Sequence, residues 1–198
     1  MIGFHRRLLR RVRAGSTDLY WRCIGKWFGN PPVPRAAASF LFICQGNVCR
    51  SPFAEGYLRK VAERRRLVEV RSRSAGIDVR VSNPSPDLAV RVAKTLEVDL
   101  TRHRSKPVTA GMVEDSDVVF AMEHRQAVRL RKAFPRHGAK IFLLPLFDAG
   151  SSRSGERFLR YNIPDPYGKA EKEFLECFRK VESAIDGFLS QTELGKAP

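Results

Sequence analysis

Short apolar runs alternate along this chain with segments whose apolar residues recur every three to four positions. Residues 40–44 form a continuous apolar run and predict a buried strand, and the runs at 117–122 and 140–144 predict two more. A further strand is predicted near residues 68–72. Repeated strand and helix alternation is typical of an α/β fold, a mostly parallel sheet with helices on both faces that binds ligands beyond the carboxyl ends of its strands.

Helical periodicity fills the intervals between these runs. One helix is predicted to begin at Pro52, and another has Ser85 as its N-cap and Pro86 at its first position. A third ends before Pro135, and a last helix carries an apolar stripe over residues 174–189. These amphipathic segments supply the helices that cover the sheet.

Chain length and composition predict one domain with an appendage. The chain has 198 residues, of which 43% are hydrophobic, and domains cluster at roughly 100–150 residues. The segment Asn-Pro-Pro-Val-Pro at 30–34 breaks any helix and predicts a boundary. We therefore expect a basic N-terminal extension at 1–37, a domain at 38–192 and a C-terminal tail at 193–198.

The net charge of +15 is unevenly distributed, because residues 1–37 hold eight Lys or Arg and a single acid, Asp18. Such a segment attracts anions: phosphate groups, acidic lipid headgroups or nucleic acid. Arginines and apolar residues alternate at 1–13, which favours a basic amphipathic helix on an anionic membrane surface, with the aromatic residues up to position 28 as an interfacial anchor. A disordered, solvated arm is an equal alternative, and nucleic-acid binding ranks below both.

The cysteines and the apolar runs favour a cytoplasmic protein. The four cysteines have no framework spacing, which is typical of a reducing compartment. No apolar run is long enough to cross a bilayer, and the N-terminal segment lacks the apolar stretch of a signal peptide. The predicted location is the cytoplasm, with the extension as the candidate for contact with a membrane.

One stretch carries the candidate chemistry: the predicted first strand, a tight polar turn and a helix start. In that geometry successive backbone N–H groups converge on one point and form a site for a tetrahedral anion. Gly46 is expected to permit the turn. The phosphate loop is defined here as residues 44–51, and the residues predicted to bind substrate within it are Gln45, Gly46, Asn47, Val48, Cys49 and Ser51.

Cys44 lies at the foot of this loop and is the predicted nucleophile. The positive helix end and the guanidinium of Arg50 both favour its thiolate over its thiol. Arg50 can bind two phosphate oxygens through its planar fork, which lysine cannot do, and the Ser51 hydroxyl can stabilise the departing thiolate. The loop therefore predicts phosphate-ester hydrolysis that needs no metal and no cofactor.

Attack by sulfur on phosphorus expels an alkoxide or phenolate, which needs a proton from a positioned acid. Asp165 is the candidate, because it lies in a long polar segment without clear period, residues 145–168, and its two flanking prolines restrict its backbone. General acid catalysis is worth about 10²–10⁴ in rate. The same carboxylate can then activate the water that hydrolyses the cysteinyl-phosphate.

The chain resembles the low-molecular-weight protein tyrosine phosphatases over residues 38–192. The resemblance rests on Cys-Gln-Gly-Asn-Val-Cys-Arg-Ser-Pro from Cys44, on Asp-Pro-Tyr from Asp165, on Ser-Ala-Gly from Ser74 and on His-Arg-Ser from His103. It implies a four-stranded parallel sheet flanked by helices and a polar network of Asn47, Ser51, Ser74 and His103 that supports the phosphate loop. It also implies a phosphotyrosine-bearing protein as substrate, with a bacterial tyrosine kinase as a candidate partner.

Two positions bear on the substrate that this resemblance implies. Members of the family often have an aromatic wall after Ser-Ala-Gly, whereas residues 77–83 contain no aromatic side chain, which leaves Tyr167 as the stacking surface. Val48 is aliphatic as in the tyrosine-specific members, while the related arginine phosphatases have threonine there. Phosphotyrosine is favoured, and a small phosphorylated metabolite such as a sugar phosphate is the alternative.

Other interpretations of the cysteines and of the loop rank lower. Cys49 is either a reversible disulfide partner of Cys44, as the resemblance suggests, or a small packed residue, with even odds. Metal binding by these two cysteines lacks a second ligand pair. Cys177 falls on an apolar stripe and is predicted to be core, which counts against the related arsenate reductases. A phosphate-binding adaptor without turnover is disfavoured, because nucleophile, arginine and acid are all present.

Overall fold

A four-stranded parallel sheet organises the protein, which is represented by a computed structural model describing residues 29–148, 150 and 157–195. The strand order is β2-β1-β3-β4, and every neighbouring pair is parallel. This confirms the predicted α/β sheet. The strands are β1 (Ser39–Cys44), β2 (Arg71–Gly76), β3 (Val118–Ala121) and β4 (Ile141–Leu143).

Helices cover both faces of the sheet. Three of them contribute to the larger apolar cluster on one face, and three others contribute to the smaller cluster on the other. The first group is α1 (Arg50–Arg64), α2 (Asp87–Thr95) and α6 (Glu171–Leu189); the second is α3 (Ala110–Glu114), α4 (His124–Ala133) and α5 (Arg157–Tyr161). Short 3-10 turns lie at Pro135–Lys140, Leu144–Phe147 and Glu193–Gly195.

The central strand β1 is buried on both faces, because successive side chains point to opposite sides of a sheet. Phe40 and Phe42 join the larger cluster, and Leu41 and Ile43 join the smaller one. Burying one such side chain stabilises the fold by about 1.5–3 kcal/mol. Strand β1 is thus fixed from both sides, and so is the position of Cys44 at its carboxyl end.

Strand order places a crevice at the end of β1. Its neighbour on one side is β2, and on the other side β3, which comes later in the chain. Where the direction of winding changes in this way, loops leave adjacent strands toward opposite faces and open a cleft beyond their carboxyl ends. The phosphate loop leaves β1 at this point and leads directly into α1.

Some element boundaries differ from the predicted ones. Strand β2 begins at Arg71 rather than near residue 68, because Val68 lies in a turn with 88% of its surface exposed. Helix α2 has Pro86 as its N-cap and Asp87 as its first residue, one position later than predicted. The segment 145–168, predicted as an irregular loop, contains a 3-10 turn and helix α5.

The described residues before β1 contact the domain. Asn30 donates through Nδ2 to the carbonyl of Leu143 at 3.1 Å and accepts at Oδ1 from the amide of the same residue at 2.6 Å. The amide of Glu193 donates to the carbonyl of Arg35 at 3.1 Å. The predicted amphipathic helix and aromatic anchor at 1–28 lie outside the described residues.

No helix within those described ranges combines the length and apolar character needed to cross a bilayer.

Candidate active site

The sulfur of Cys44 points into the phosphate loop. The backbone amide of Asn47 donates to Sγ at 3.2 Å, and the hydroxyl of Ser51 lies 3.1 Å from the same sulfur. Both partners can donate hydrogen bonds, so the pair suits a sulfur that carries negative charge. Cys44 is 3% exposed, and it is reached through the cavity that its loop lines.

Asn47 fixes the shape of the phosphate loop. Its φ of 52° lies in the left-handed region, which few residues other than glycine adopt without support. The support comes from its buried side chain: Nδ2 donates to Oγ of Ser51 and to Oγ of Ser74, both at 2.9 Å, and Oδ1 accepts from the amide of Lys106 at 3.0 Å. Three separate segments therefore hold this one residue.

A second layer of contacts supports Asn47 from behind. Ser74 donates its hydroxyl to Oε2 of Glu55 at 2.6 Å, and Nε2–H of His103 donates to the backbone carbonyl of Asn47 at 2.6 Å. Burial lowers the pKa of His103, outweighing the carbonyl of Asn47 and the charge of Glu55, which raise it. The imidazole is therefore held neutral, as a donor needs only one ring N–H. Ser74 and His103 both contact Asn47.

Glycine matters at a different position from the one expected. Gly46 does not adopt a positive φ, and a Cβ there would meet only Val48 at 3.8 Å, so the turn depends on Asn47 instead. At Gly76, a Cβ would lie 2.9 Å from the carbonyl oxygen of Gln45 and 3.0 Å from the amide nitrogen of Asn47. The end of β2 thus approaches the phosphate loop so closely that only glycine fits.

Several amides of the phosphate loop remain free to bind an anion. Among the described residues, no acceptor receives the backbone N–H of Val48, Cys49 or Arg50. Pro52 is the third residue of α1, not the first as predicted, and lacks an N–H at a position where no intrahelical acceptor exists. The positive end of α1 adds to these donors, so the loop provides the electrostatic environment that a phosphate requires.

Arg50 lies beneath the loop with 1% of its surface exposed. Nη1 donates to Oε1 of Glu123 and to the carbonyl of Ile163, the latter at 3.0 Å, and Nη2 donates to Oδ2 of Asp165 at 2.5 Å. No described residue accepts from Nε. The Nε–H and the second hydrogen of Nη2 lie along one edge of the planar guanidinium, so this edge can bind two phosphate oxygens.

Electrostatics keep Arg50 charged in spite of its burial. Burial alone would lower its pKa, but the neighbouring charges of Cys44, Asp165 and Glu123 outweigh burial and raise it. Glu123 was missed by the sequence reasoning. A signal existed, because Glu123 comes shortly after β3, at the sheet edge where ligands bind.

Asp165 reaches the same guanidinium from the far part of the chain. The amide of Ile163 donates to the carbonyl of Met122 at 2.9 Å, which ties this segment to the end of β3. Oδ1 of Asp165 accepts from the amide of Tyr167 at 3.2 Å, and the side chain is 44% exposed. The carboxyl group is therefore anchored and still open to the cavity that Cys44 lines.

One cavity of about 660 Å³ joins these groups. Tyr167, 64% exposed, lines it on one side. Another part of the lining is formed by residues 77–83, called the outer wall below, which present Asp78, Val79, Arg80 and Val81. Among the described residues that line the cavity, one has an aromatic side chain, and the outer wall is polar and aliphatic.

The other thiols near the site are held protonated. Burial, followed by the charges of Asp165 and Cys44, raises the pKa of Cys49 well above its usual range. Burial likewise raises the pKa of Cys177 to about 12. Both side chains are buried and belong to the larger apolar cluster, as predicted for Cys177. Cys44 thus differs from Cys49 and Cys177 in having the Asn47 amide and the Ser51 hydroxyl beside its sulfur.

Comparison with known proteins identifies the family to which this arrangement belongs. The family described as low molecular weight phosphotyrosine protein phosphatase matches residues 39–197. The chain belongs to this family. The resemblance and the hydrolase class expected from the sequence are thereby confirmed.

Individual relatives include enzymes named for two different phosphoamino acids. Etp, a low molecular weight protein-tyrosine-phosphatase of Escherichia coli strain K12, is 32% identical over 74% of this chain and 88% of its own length. A protein-arginine-phosphatase of Bacillus subtilis is 29% identical over 76% of this chain and 91% of its own. The structure of Vibrio vulnificus Wzb in complex with benzylphosphonate superposes with a TM-score of 0.64 at 26% identity, covering 75% of this chain and 94% of that one.

Proposed function

We propose that this phosphatase hydrolyses phosphotyrosine in a protein substrate through a cysteinyl-phosphate on Cys44. The observation that carries the proposal is the geometry of Arg50. This single buried guanidinium holds the candidate acid, Asp165, at 2.5 Å, while its free edge belongs to the loop that surrounds the sulfur of Cys44. Nucleophile, phosphate clamp and acid therefore meet in one cavity.

Binding precedes chemistry and uses donors that are already in place. The phosphoryl group accepts hydrogen bonds from the free amides of the phosphate loop and from Nε–H and Nη2–H of Arg50. Glu123 and the carbonyl of Ile163 hold the opposite side of the guanidinium, so the fork is positioned before substrate arrives. Such preorganised donors are most effective where charge develops in the transition state.

The first chemical step transfers the phosphoryl group to sulfur. The thiolate of Cys44 forms the S–P bond as the P–O bond to the phenolic oxygen breaks, and Asp165 gives its proton to that oxygen. In the second step Asp165 takes a proton from water, the water oxygen bonds to phosphorus, and the S–P bond breaks. Phosphate leaves, and the thiolate is stabilised again by the Asn47 amide and the Ser51 hydroxyl.

Tyr167 supports phosphotyrosine as the substrate group. It is the exposed aromatic ring in the lining of the cavity and can stack on a phenolic ring. The related Wzb structure contains benzylphosphonate, in which an aromatic ring is linked to a phosphonate. We infer a phosphoprotein substrate, with a tyrosine kinase that carries phosphotyrosine as the candidate partner.

Phosphoarginine is the second candidate, because the protein-arginine-phosphatase of Bacillus subtilis is similar to this chain over nearly the same length as Etp. The outer wall also lacks an aromatic ring for a phenol to stack on. Val48, which lines the cavity, favours tyrosine over arginine because an aliphatic side chain offers no hydrogen bond to a guanidinium.

The test compares kcat/KM on peptides of one sequence that carry phosphotyrosine, phosphoarginine or phosphoserine, with a sugar phosphate as a fourth substrate. We expect the phosphotyrosine peptide to be hydrolysed most efficiently, without added metal and in the presence of chelator. A higher kcat/KM on phosphoarginine or on the sugar phosphate would overturn the substrate assignment while leaving the cysteine chemistry intact.

We further propose that residues 1–37 act as an extension to the domain at 38–192, and that the protein works in the cytoplasm with this extension near an anionic membrane surface. The eight basic residues of the extension support the proposal. Co-sedimentation of the full chain with anionic, but not neutral, vesicles is expected. Equal recovery with both kinds of vesicle would contradict it.

A further inference from the structure

One part of the cavity lining, residues 80–87, has anion-binding features that phosphoryl transfer does not use. Ser85 lines this cavity and is 4% exposed, and its hydroxyl has no hydrogen-bond partner among the described residues. A buried hydroxyl without a partner is destabilising and therefore uncommon. It is the kind of group that a ligand satisfies.

The amino end of α2 adds backbone donors beside Ser85. Helix α2 has nine residues, and its N-cap is Pro86, which provides no side-chain cap. The amides of Asp87, Leu88 and Ala89 donate to no acceptor within the described ranges. A helix start with uncapped amides attracts anions, and here it adjoins a buried hydroxyl in the same cavity.

Arg80 gives this part of the cavity lining its positive charge. The neighbouring Asp78 is occupied by Arg129, whose Nη1 and Nη2 donate to its two carboxylate oxygens at 3.0 and 2.9 Å, and Gln45 donates to the same carboxylate. No carboxylate among the described residues forms a salt bridge with Arg80. The guanidinium of Arg80 is therefore available to a ligand, while the negative charge of Asp78 is largely balanced by Arg129.

Asp87 acts in the opposite direction. It is the first residue of α2, is exposed, and lines the same cavity. Its carboxylate partly offsets the positive end of the helix and would repel an anion held there. Binding of an acidic group here therefore depends on two opposing contributions. Arg80, Ser85 and the amides attract the group, whereas Asp87 repels it, so removing the charge of Asp87 should strengthen the binding.

We propose that Arg80, Ser85 and the first amides of α2 form a second anion subsite, which binds an acidic side chain next to the phosphorylated residue of the substrate. The inference rests on the proposed function, since it names the sequence context that the phosphatase prefers. A cavity of about 660 Å³ has the size that holds a whole small ligand, so it has room for a phosphorylated side chain and a neighbouring group. The preferred substrates are then acidic phosphopeptides.

The test measures kcat/KM on three phosphotyrosine peptides that differ only in the residues flanking the phosphotyrosine: Glu, Gln or Lys. For the unmodified protein we expect about fivefold higher kcat/KM with Glu than with Gln, the order of a partly exposed ion pair, and a lower value with Lys. Arg80→Gln should reduce the Glu-to-Gln ratio to about one, Ser85→Ala should reduce it in part, and Asp87→Asn should increase it. Higher salt should weaken the preference.

Arg59→Gln is the matched control, because Arg59 is an exposed arginine of α1 that lines a separate groove and not this cavity. It should leave the Glu-to-Gln ratio unchanged. Equal rates on all three peptides, or a preference for Lys, would overturn the subsite. If phosphotyrosine is not hydrolysed but phosphoarginine is, the proposed substrate fails independently, and the same flanking series on phosphoarginine peptides decides the subsite.

Discussion

The phosphate loop and the outer wall line one cavity and differ in how firmly the protein holds them. Asn47 in the loop is fully buried and is bonded by two other segments, through Ser74 of β2 and through His103 and Lys106. The outer wall is tied at its ends, by the amide of Asp78 to Gln45 at 2.9 Å and by Asn83 to Ser105 at 2.9 Å, while Val81 between them is 68% exposed. The residues of the phosphate loop, which carry out the chemistry, are thus held firmly. The outer wall, which is expected to select the substrate, is held less firmly.

The largest effect is expected at the nucleophile. Cys44→Ser replaces the sulfur that receives the Asn47 amide, and the loss of kcat should be at least about 10⁴-fold, as for other catalytic nucleophiles. Binding of a phosphotyrosine peptide should persist, because Arg50 and the loop amides remain. Hydrolysis rates and peptide affinity measured on the same variant check both parts; retained turnover would remove Cys44 from the mechanism.

The next effect separates the acid from the phosphate clamp. Asp165→Asn should lower kcat/KM, which reports on the phosphoryl-transfer step, by about 10²–10³-fold on phenyl phosphate, whose leaving group needs a proton. The loss should be smaller on p-nitrophenyl phosphate, whose phenolate leaves more easily. The measurement is the ratio of the two losses, and equal losses on both substrates would indicate that Asp165 positions Arg50 and does not donate the proton.

A third variant tests the rigidity of the phosphate loop. Asn47→Ala removes the bonds to Ser51, Ser74 and Lys106 and leaves alanine in the left-handed region, so unfolding free energy should fall by about 2–4 kcal/mol. Asn83→Ala in the outer wall is the matched control, since the carbonyl of Val81 is the one described group that its exposed side chain bonds. Denaturant unfolding of both variants makes the comparison. Similar losses would contradict the assigned difference in rigidity.

The pH dependence of the unfolding free energy should also arise beside the phosphate loop, at His103. Burial lowers the folded-state pKa of His103 below the usual value of about 6.5. Protons then bind the unfolded chain more readily, so the contribution of His103 to stability is complete above pH 6.5 and is lost as pH falls toward the folded pKa. His103→Gln should flatten the unfolding free energy between about pH 7 and 5. If the slope of the unfolding free energy against pH does not change, the pH dependence arises from other groups, such as His124, whose pKa burial also lowers.

The smallest effect is expected in the outer wall. Arg129→Gln breaks the ion pair with Asp78, but both side chains are about half exposed, and such pairs contribute little to stability. The unfolding free energy should remain within error of the unmodified protein. The Glu-to-Gln peptide ratio should fall, because the freed Asp78 carboxylate then offsets Arg80. A large loss of stability would show that the outer wall is as tightly held as the phosphate loop.

The same contrast explains what the sequence could predict. The nucleophile, arginine and helix start of the phosphate loop are contiguous, so their chemistry can be inferred from one short stretch. The contact of Arg50 with Glu123 joins residues 73 positions apart and depends on the strand order. Val68 and Val70 suggest a buried strand and so predict a start of β2 before Arg71, whereas Val68 is exposed in a turn. Periodicity reports apolar character, and the tertiary fold decides which apolar residues are covered.

Detection of a phosphorylated Cys44 tests the central claim most directly. Asp165→Asn should slow hydrolysis of the intermediate, so the protein can be quenched during turnover of an aryl phosphate and its peptides analysed by mass spectrometry. The account predicts one phosphoryl group on the peptide that contains Cys44, and none when Cys44→Ala, which leaves no group to receive phosphorus, is combined with Asp165→Asn. Turnover that continues with no phosphoryl group on Cys44 would contradict it.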